Sequence, residues 1–206
     1  MGGFGCAPPV QLNPMSVHPA TAFTYEDYVD LPDDGRRYEI VDGEVHVTPA
    51  ANTCHQDIVG WVFRRIADHL DLYGGGRVFV APYDVVLSPT TVVQPDVVFV
   101  AGADTHRITE ANLQGRPTLV VEVLSDPRHD RVRKRKLYAR FAVPEYWLVD
   151  PDGERVEVYR LAVEDYPTPT LLEAGARLTS DVLPGLTLNV AGLLAAGQLD
   201  GPGRAV

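Results

Sequence analysis

The chain has 206 residues, of which 45% are apolar and 22% charged, and its formal net charge is −10. That length suits one domain with appendages and a sizeable core, in the composition range of an ordinary soluble globular protein. No apolar run reaches bilayer length and no basic-then-apolar stretch opens the chain, which argues against a membrane span and a secretory signal, and the acidity argues against tight, unspecific gripping of a polyanion.

Residues 1–21 are rich in Pro, Gly and small side chains without a period, so a disordered arm is expected. Cys6 in that arm and Cys54 further on cannot form a multi-bridge framework, and both are expected as reduced thiols of a cytoplasmic protein. Thr24 is placed to cap a short amphipathic helix over Tyr25–Leu31, with Asp27 three residues on as a partial capping signal. Arg37–Val41 and Glu44–Thr48 flank Asp42-Gly43, a strong two-residue hairpin signal. Asn52 can cap a helix from Cys54 to Tyr73, where Ile58, Val59, Val62, Ile66 and Leu70 recur at helical spacing, and Gly74-Gly75-Gly76 stops it. Three Val-rich strands are expected over residues 77–87, 92–100 and 118–124; the last two are almost continuously apolar, the pattern of buried central strands. A basic helix over Asp130–Phe141 ends before Pro144, and residues 145–149 and 155–161 form a hairpin around Pro151-Asp152-Gly153. From Ala162 the strand signals are weak (Leu171, Leu172, Leu186 to Val190) and the Gly/Pro end is frayed. The sum is an α/β chain in three parts: the arm 1–21, a domain over 22–161, and an extension over 162–206 packed on it.

Two acids stand out chemically. Asp96 and Glu122 are each the only acid in a Val-rich strand, and a buried carboxylate costs several kcal/mol unless something neutralises it. If the two strands are neighbours the acids can converge, and an all-oxygen set suits Mg²⁺ or Mn²⁺; a partner Arg or a capped loop explains either acid equally well alone. Arg128 to Arg140 holds seven of the 18 basic residues, so a polyanion is permitted at that one place despite the overall acidity. On a helix Arg131, Lys134, Arg135 and Tyr138 share a face; the alternative is a solvated charged helix. Glu39 is either a further ligand or a solvent-facing strand residue, and Asp84 follows the same buried-acid logic as Asp96. His55 either reaches a phosphate or serves the turn where its helix begins, the structural role being the better reading. Cys54 and His55, adjacent on one helix, point apart and form no dyad; zinc spacing, a phosphate-binding loop and a Gly-x-Ser-x-Gly elbow are all missing.

The ordered motifs Tyr38-Glu39-Ile40-Val41-Asp42-Gly43-Glu44, His55-Gln56, Pro82-Tyr83-Asp84-Val85, Val93-Gln94-Pro95-Asp96, Val121-Glu122-Val123-Leu124-Ser125, Asp130 to Tyr138 and Val143-Pro144-Glu145-Tyr146-Trp147-Leu148-Val149-Asp150-Pro151 resemble the Uma family of restriction-endonuclease-like proteins, a branch of the PD-(D/E)XK nuclease superfamily. The resemblance covers roughly residues 24–161. It implies a restriction-endonuclease-like core with a mixed central sheet flanked by helices. It also implies a site in which the family's Asp falls on Asp96, its Glu on Glu122, its additional N-terminal Glu on Glu39 and its helix Lys on Lys134. In the superfamily's common pattern the Lys lies two residues after the Glu; that position is Leu124 here, so the Lys comes from the following helix, where Lys134 and Lys136 compete and helical phase with Tyr138 favours Lys134. The family often continues Pro-Ser-Thr after the Glu strand, whereas Asp126-Pro127-Arg128-His129 stands here.

The implied function is a metal-dependent endonuclease: Asp96, Glu122 and Glu39 hold Mg²⁺ or Mn²⁺, Lys134 orients the attacking water, and Arg131, Arg135 and His55 contact nucleic acid, with DNA the favoured polymer. A homodimer would let such a module engage both strands. Two alternatives stand beside it: a nuclease-fold binding module without catalysis, and a metal-dependent hydrolase of a smaller phosphoester.

Overall fold

A computed structural model of the chain describes residues 22–32, 34–48, 51–124 and 130–198. Residues 1–21, where an arm was expected, residues 125–129, and residues 199–206, within the expected frayed end, lie outside the described residues.

Thr24 caps α1 (Tyr25–Val29) with a complete capping box, its side chain and Asp27 each accepting the other's backbone N–H. The Asp42-Gly43 turn follows with both residues at positive φ, 55° and 80°, joining β1 (Arg37–Val41) to β2 (Glu44–Thr48). The side chain of Asn52 accepts the His55 N–H at the start of α2 (Thr53–Tyr73), and Gly74 ends that helix at φ 68°.

Each of the next two expected strands is cut in two by a proline, which has no N–H to continue a ladder. Residues 77–87 divide at Pro82 into β3 (Gly76–Val80) and β4 (Asp84–Ser88); residues 92–100 divide at Pro95 into β5 (Thr91–Val93) and β6 (Val97–Ala101). The cuts matter because the halves belong to different sheets. After a 3-10 turn over Gly102–Arg107 come β7 (Asn112–Gln114), β8 (Leu119–Val123), α3 (Asp130–Arg140), β9 (Glu145–Asp150) and β10 (Arg155–Arg160). Then follow β11 (Thr170–Glu173), β12 (Arg177–Thr179), β13 (Thr187–Asn189) and α4 (Val190–Ala196).

The larger sheet has the order β11-β10-β9-β8-β6-β3 and the smaller β2-β1-β5-β4-β7, while β12 and β13 form a separate pair. The large sheet is mixed: β8 and β9 run parallel, with α3 as their crossover, and the other pairs are antiparallel. One face, carrying Val97, Phe99, Val121, Trp147 and Val158, packs against Ile58, Val62 and Ile66 of α2 and against Leu178, Leu188 and Leu193 from the C-terminal segment. The other face, carrying Val98, Val120, Tyr146 and Leu148, packs against Leu137 and Tyr138 of α3 and Val41, Val85 and Val93 of the small sheet. Two opposed apolar layers on one sheet explain why β6 and β8 read as continuous hydrophobic runs. This is a restriction-endonuclease-like α/β fold.

Candidate active site

The chain leaves the large sheet after Val80, makes two strands of the small sheet, and re-enters at β6. Asp96 sits at that re-entry, where its backbone carbonyl accepts the Ala81 N–H at 3.2 Å. The neighbouring strand brings Glu122: Val97 pairs with Val121, and Asp96 Oδ2 accepts the Val123 N–H at 2.8 Å. Glu122 shares its strand face with Val120, opposite Val121, and so faces α3 rather than α2. From α3, Lys134 reaches across, its Nζ 3.2 Å from Glu122 Oε1 and 2.6 Å from Glu39 Oε1. Glu39 belongs to β1 of the other sheet and also accepts the Gln94 N–H at 2.9 Å. Four elements thus converge on one charged cluster that is almost fully buried: Glu39 is 2% exposed, Asp96 2%, Lys134 3% and Glu122 7%.

Burial opposes the charge on Glu39, but the Lys134 ammonium, the Gln94 amide and Arg37 outweigh it and hold the carboxyl below its ordinary value. Asp96 behaves alike: burial raises it, while His55, the Val123 amide and Arg37 together leave it lowered. Tyr138, fully buried, donates to Glu122 Oε1 at 2.5 Å; burial and the Glu122 charge push its phenol well above the usual tyrosine range.

His55 was expected to contact nucleic acid or to serve its turn. Its Nε2 stands 3.0 Å from Asp96 Oδ2, and since an ionised carboxylate only accepts, Nε2 carries the proton in this contact. Arg37, which sequence reasoning passed over, places Nη1 3.5 Å from Asp96 Oδ1; its position two residues before Glu39 on the same strand face is the signal that could have found it.

Of the two competing lysines, Lys134 is buried in the cluster and Lys136 is exposed. Arg131 and Arg135 do not join it. Arg131 pairs with Asp150 at 2.5 Å and Glu157 at 3.2 Å, and Arg135 with Asp165 at 3.3 Å and the Tyr166 carbonyl at 3.1 Å. Asp84 lies outside the cluster as well, accepting from Tyr28 and Gln94 at 2.8 Å each.

Whether a metal suits these residues can be judged from their chemistry. Glu39, Asp96 and Glu122 offer only oxygen, and three carboxylates face two permanent cations, Lys134 and Arg37, leaving an excess of negative charge. A hard divalent cation fits such a set. As the side chains stand, no group of three His, Cys, Asp or Glu among the described residues is gathered tightly enough to hold one, the ammonium lying between Glu39 and Glu122.

Fold and cluster together define an α/β domain of nuclease type, with acids on two adjacent strands and a lysine delivered by the crossover helix. The chain belongs to the Uma2 family, described as "putative restriction endonuclease", which it matches over residues 25–191. It is similar in structure to "a putative nuclease belonging to DUF820" from Anabaena variabilis ATCC 29413, with a TM-score of 0.71 at 20% sequence identity over 85% of this chain and 99% of that one. At that identity the likeness speaks for the fold. No curated protein matches the chain. No helix among the described residues is long and apolar enough to cross a membrane.

Proposed function

We infer that the protein is a metal-dependent endonuclease acting on nucleic acid, with DNA as its substrate. The observation that carries this reading is the buried Glu39–Lys134–Glu122 contact beside Asp96. Charged groups without water are costly, and a fold keeps them together where their charge is used. Asp96 and Glu122 would hold Mg²⁺ or Mn²⁺, with Glu39 as a further carboxylate. Bound there, the cation supplies Lewis-acid polarisation of the phosphodiester and a lowered pKa for the attacking water.

The chain's own groups do the positioning. His55 and the Val123 amide both bind Asp96 Oδ2, which fixes the carboxylate, while Oδ1 has, among the described residues, the long Arg37 contact. Tyr138 fixes Glu122 in the same way. Lys134 carries three N–H donors between two acids, so it can turn one toward the attacking water or toward an equatorial phosphate oxygen as charge builds there. Attack by water would form a P–O bond in line with the P–O ester bond that breaks, the water giving up a proton and the departing sugar oxygen taking one up. Arg131 and Arg135 are held by acids of the protein, so phosphate contacts from them would require exchange of those partners.

The test is nicking of supercoiled plasmid with Mg²⁺ or Mn²⁺ by the wild type, Asp96→Asn and Glu122→Gln. Metal-dependent nicking lost in both variants supports the assignment; a folded wild type inert on plasmid, single-stranded DNA and RNA refutes it. The second reading, a binding domain without hydrolysis, draws on the internal pairing of Lys134, Arg131 and Arg135. The same inert result, with retained nucleic-acid affinity, would favour it.

A further inference from the structure

The face of the small sheet turned away from the cluster carries a cleft of about 330 Å³ under α1. Sites for small organic ligands begin at about this size, roughly 300 Å³. Its walls include three aromatic rings, Tyr25, Tyr28 and Tyr38, with Arg36 on the rim and Asp84 and Gln94 at its polar side. Tyr25 and Tyr28 are stacked, centroids 6.1 Å apart. Tyr28 and the Gln94 side-chain amide both donate to Asp84 Oδ1, and Gln94 Oε1 is a buried acceptor without a partner among the described residues. The cleft therefore offers flat apolar walls and hydrogen-bond acceptors, which suit a planar heterocycle whose edge carries N–H groups.

Two links tie it to the carboxylate cluster. Gln94 lines the cleft with its side chain while its backbone N–H binds Glu39. Arg36 and Arg37 are consecutive: the first lines the cleft, the second faces Asp96. Both sites draw on the same end of the small sheet, where β1 and β4 begin and β5 ends: Arg36, Asp84 and Gln94 line the cleft and Arg37 reaches Asp96. Meanwhile the helix that gathers the chain's basic residues is occupied by the protein itself, Arg131, Lys134, Arg135 and Arg140 all pairing with acids. A molecule of net charge −10 with these four cations of its basic helix so engaged is poorly furnished to grip a duplex by its phosphates. Stacking on aromatic walls is the alternative source of affinity, and it requires bases out of a duplex.

We propose that the cleft under α1 seats an unpaired nucleobase of the strand being cut, so that the substrate presents single-stranded nucleotides next to the scissile phosphate. This rests on the nuclease reading and specifies its substrate. A fluorescein-labelled 12-nucleotide single strand and the same sequence as a blunt duplex are titrated by fluorescence anisotropy, with Ca²⁺ neutralising the carboxylates. Wild type is compared with Tyr38→Leu and with Ala111→Trp, which fills the cleft from an exposed wall position. The single strand should bind at least about tenfold more tightly than the duplex. Each variant should weaken it by about tenfold, at unchanged circular dichroism, while duplex binding stays put. If Tyr38→Leu fails to fold, Ala111→Trp alone decides. Equal or tighter duplex binding, or single-strand binding by Ala111→Trp within twofold of wild type, overturns the proposal. Cleavage of the single strand and of plasmid with Mg²⁺ or Mn²⁺ separates the two claims: cleavage of either with a cleft-insensitive affinity removes the base site and leaves the nuclease, whereas cleft-dependent binding with no cleavage of single-stranded DNA, RNA or plasmid does the reverse.

Discussion

Replacing Lys134 by methionine keeps an unbranched side chain, one atom shorter, and removes its charge and donors. Two buried carboxylates, 2.6 and 3.2 Å from the ammonium, then lose their common cation. Breaking a buried pair by removing one partner costs about 3–5 kcal/mol. For a protein of this size each kcal/mol moves the thermal midpoint by about 2–4 °C, so Lys134→Met should melt about 6–20 °C lower near neutral pH. The pH dependence identifies the cause. In the wild type the Glu39 carboxyl lies below its ordinary value, so its contribution is complete at neutral pH and fades as the pH falls through that folded value. Without Lys134 the burial contribution dominates and the carboxyl moves above its ordinary value; a charged Glu39 then costs stability at neutral pH, and acidification relieves the cost. The deficit should be largest at pH 7 and clearly smaller at pH 5, read by differential scanning calorimetry or urea midpoints. A variant that melts with the wild type, or a deficit equal at both pH values, would show that Lys134 does not neutralise these acids.

Tyr138→Phe deletes a buried hydroxyl that donates to Glu122 and should cost about 1.5–3 kcal/mol in urea unfolding; an unchanged midpoint would mean Glu122 finds another donor at no cost. Arg131→Ala leaves Asp150 and Glu157, both buried, with Arg155 as their shared cation beside the Gly153 N–H and the Tyr159 hydroxyl, and should lower stability by roughly 1–3 kcal/mol; a loss of nucleic-acid affinity at full stability would instead make Arg131 a phosphate contact. Gly76→Ala would place a methyl inside the contact radius of the Val100 carbonyl, so it should fail to give folded protein by circular dichroism, while Gly60→Ala, with open space around its Cα, should fold normally.

Much of this was legible in the sequence because local rules agreed with the tertiary outcome. The Asp42-Gly43 turn, the Thr24 and Asn52 caps and the apolar stripe of α2 each satisfied their own chemistry nearby. The lone acids in Val-rich strands pointed to Asp96 and Glu122 because only a partner excuses a carboxylate there. What escaped were features decided by distant pairing. Residues 77–87 and 92–100 each read as one strand, since Val-rich periodicity says nothing about a change of sheet; the prolines at 82 and 95 were the available sign. Arg37, the contact of His55 with Asp96 and the saturation of Arg131 by Asp150 and Glu157 depend on strands that meet only after folding. For Lys134, helical phase with Tyr138 was enough to prefer it over Lys136.

The crossover position of α3 has a temporal consequence. Glu39, Asp96, Glu122 and Lys134 come from two sheets and a connecting helix, and no two of the four share an element. A chain still emerging, or one opened locally at the β8–β9 seam, therefore holds its acids and its lysine on separate pieces. On the nuclease reading proposed above, hydrolytic competence would arrive only when the last long-range connection closes, and partial unfolding would withdraw it at once.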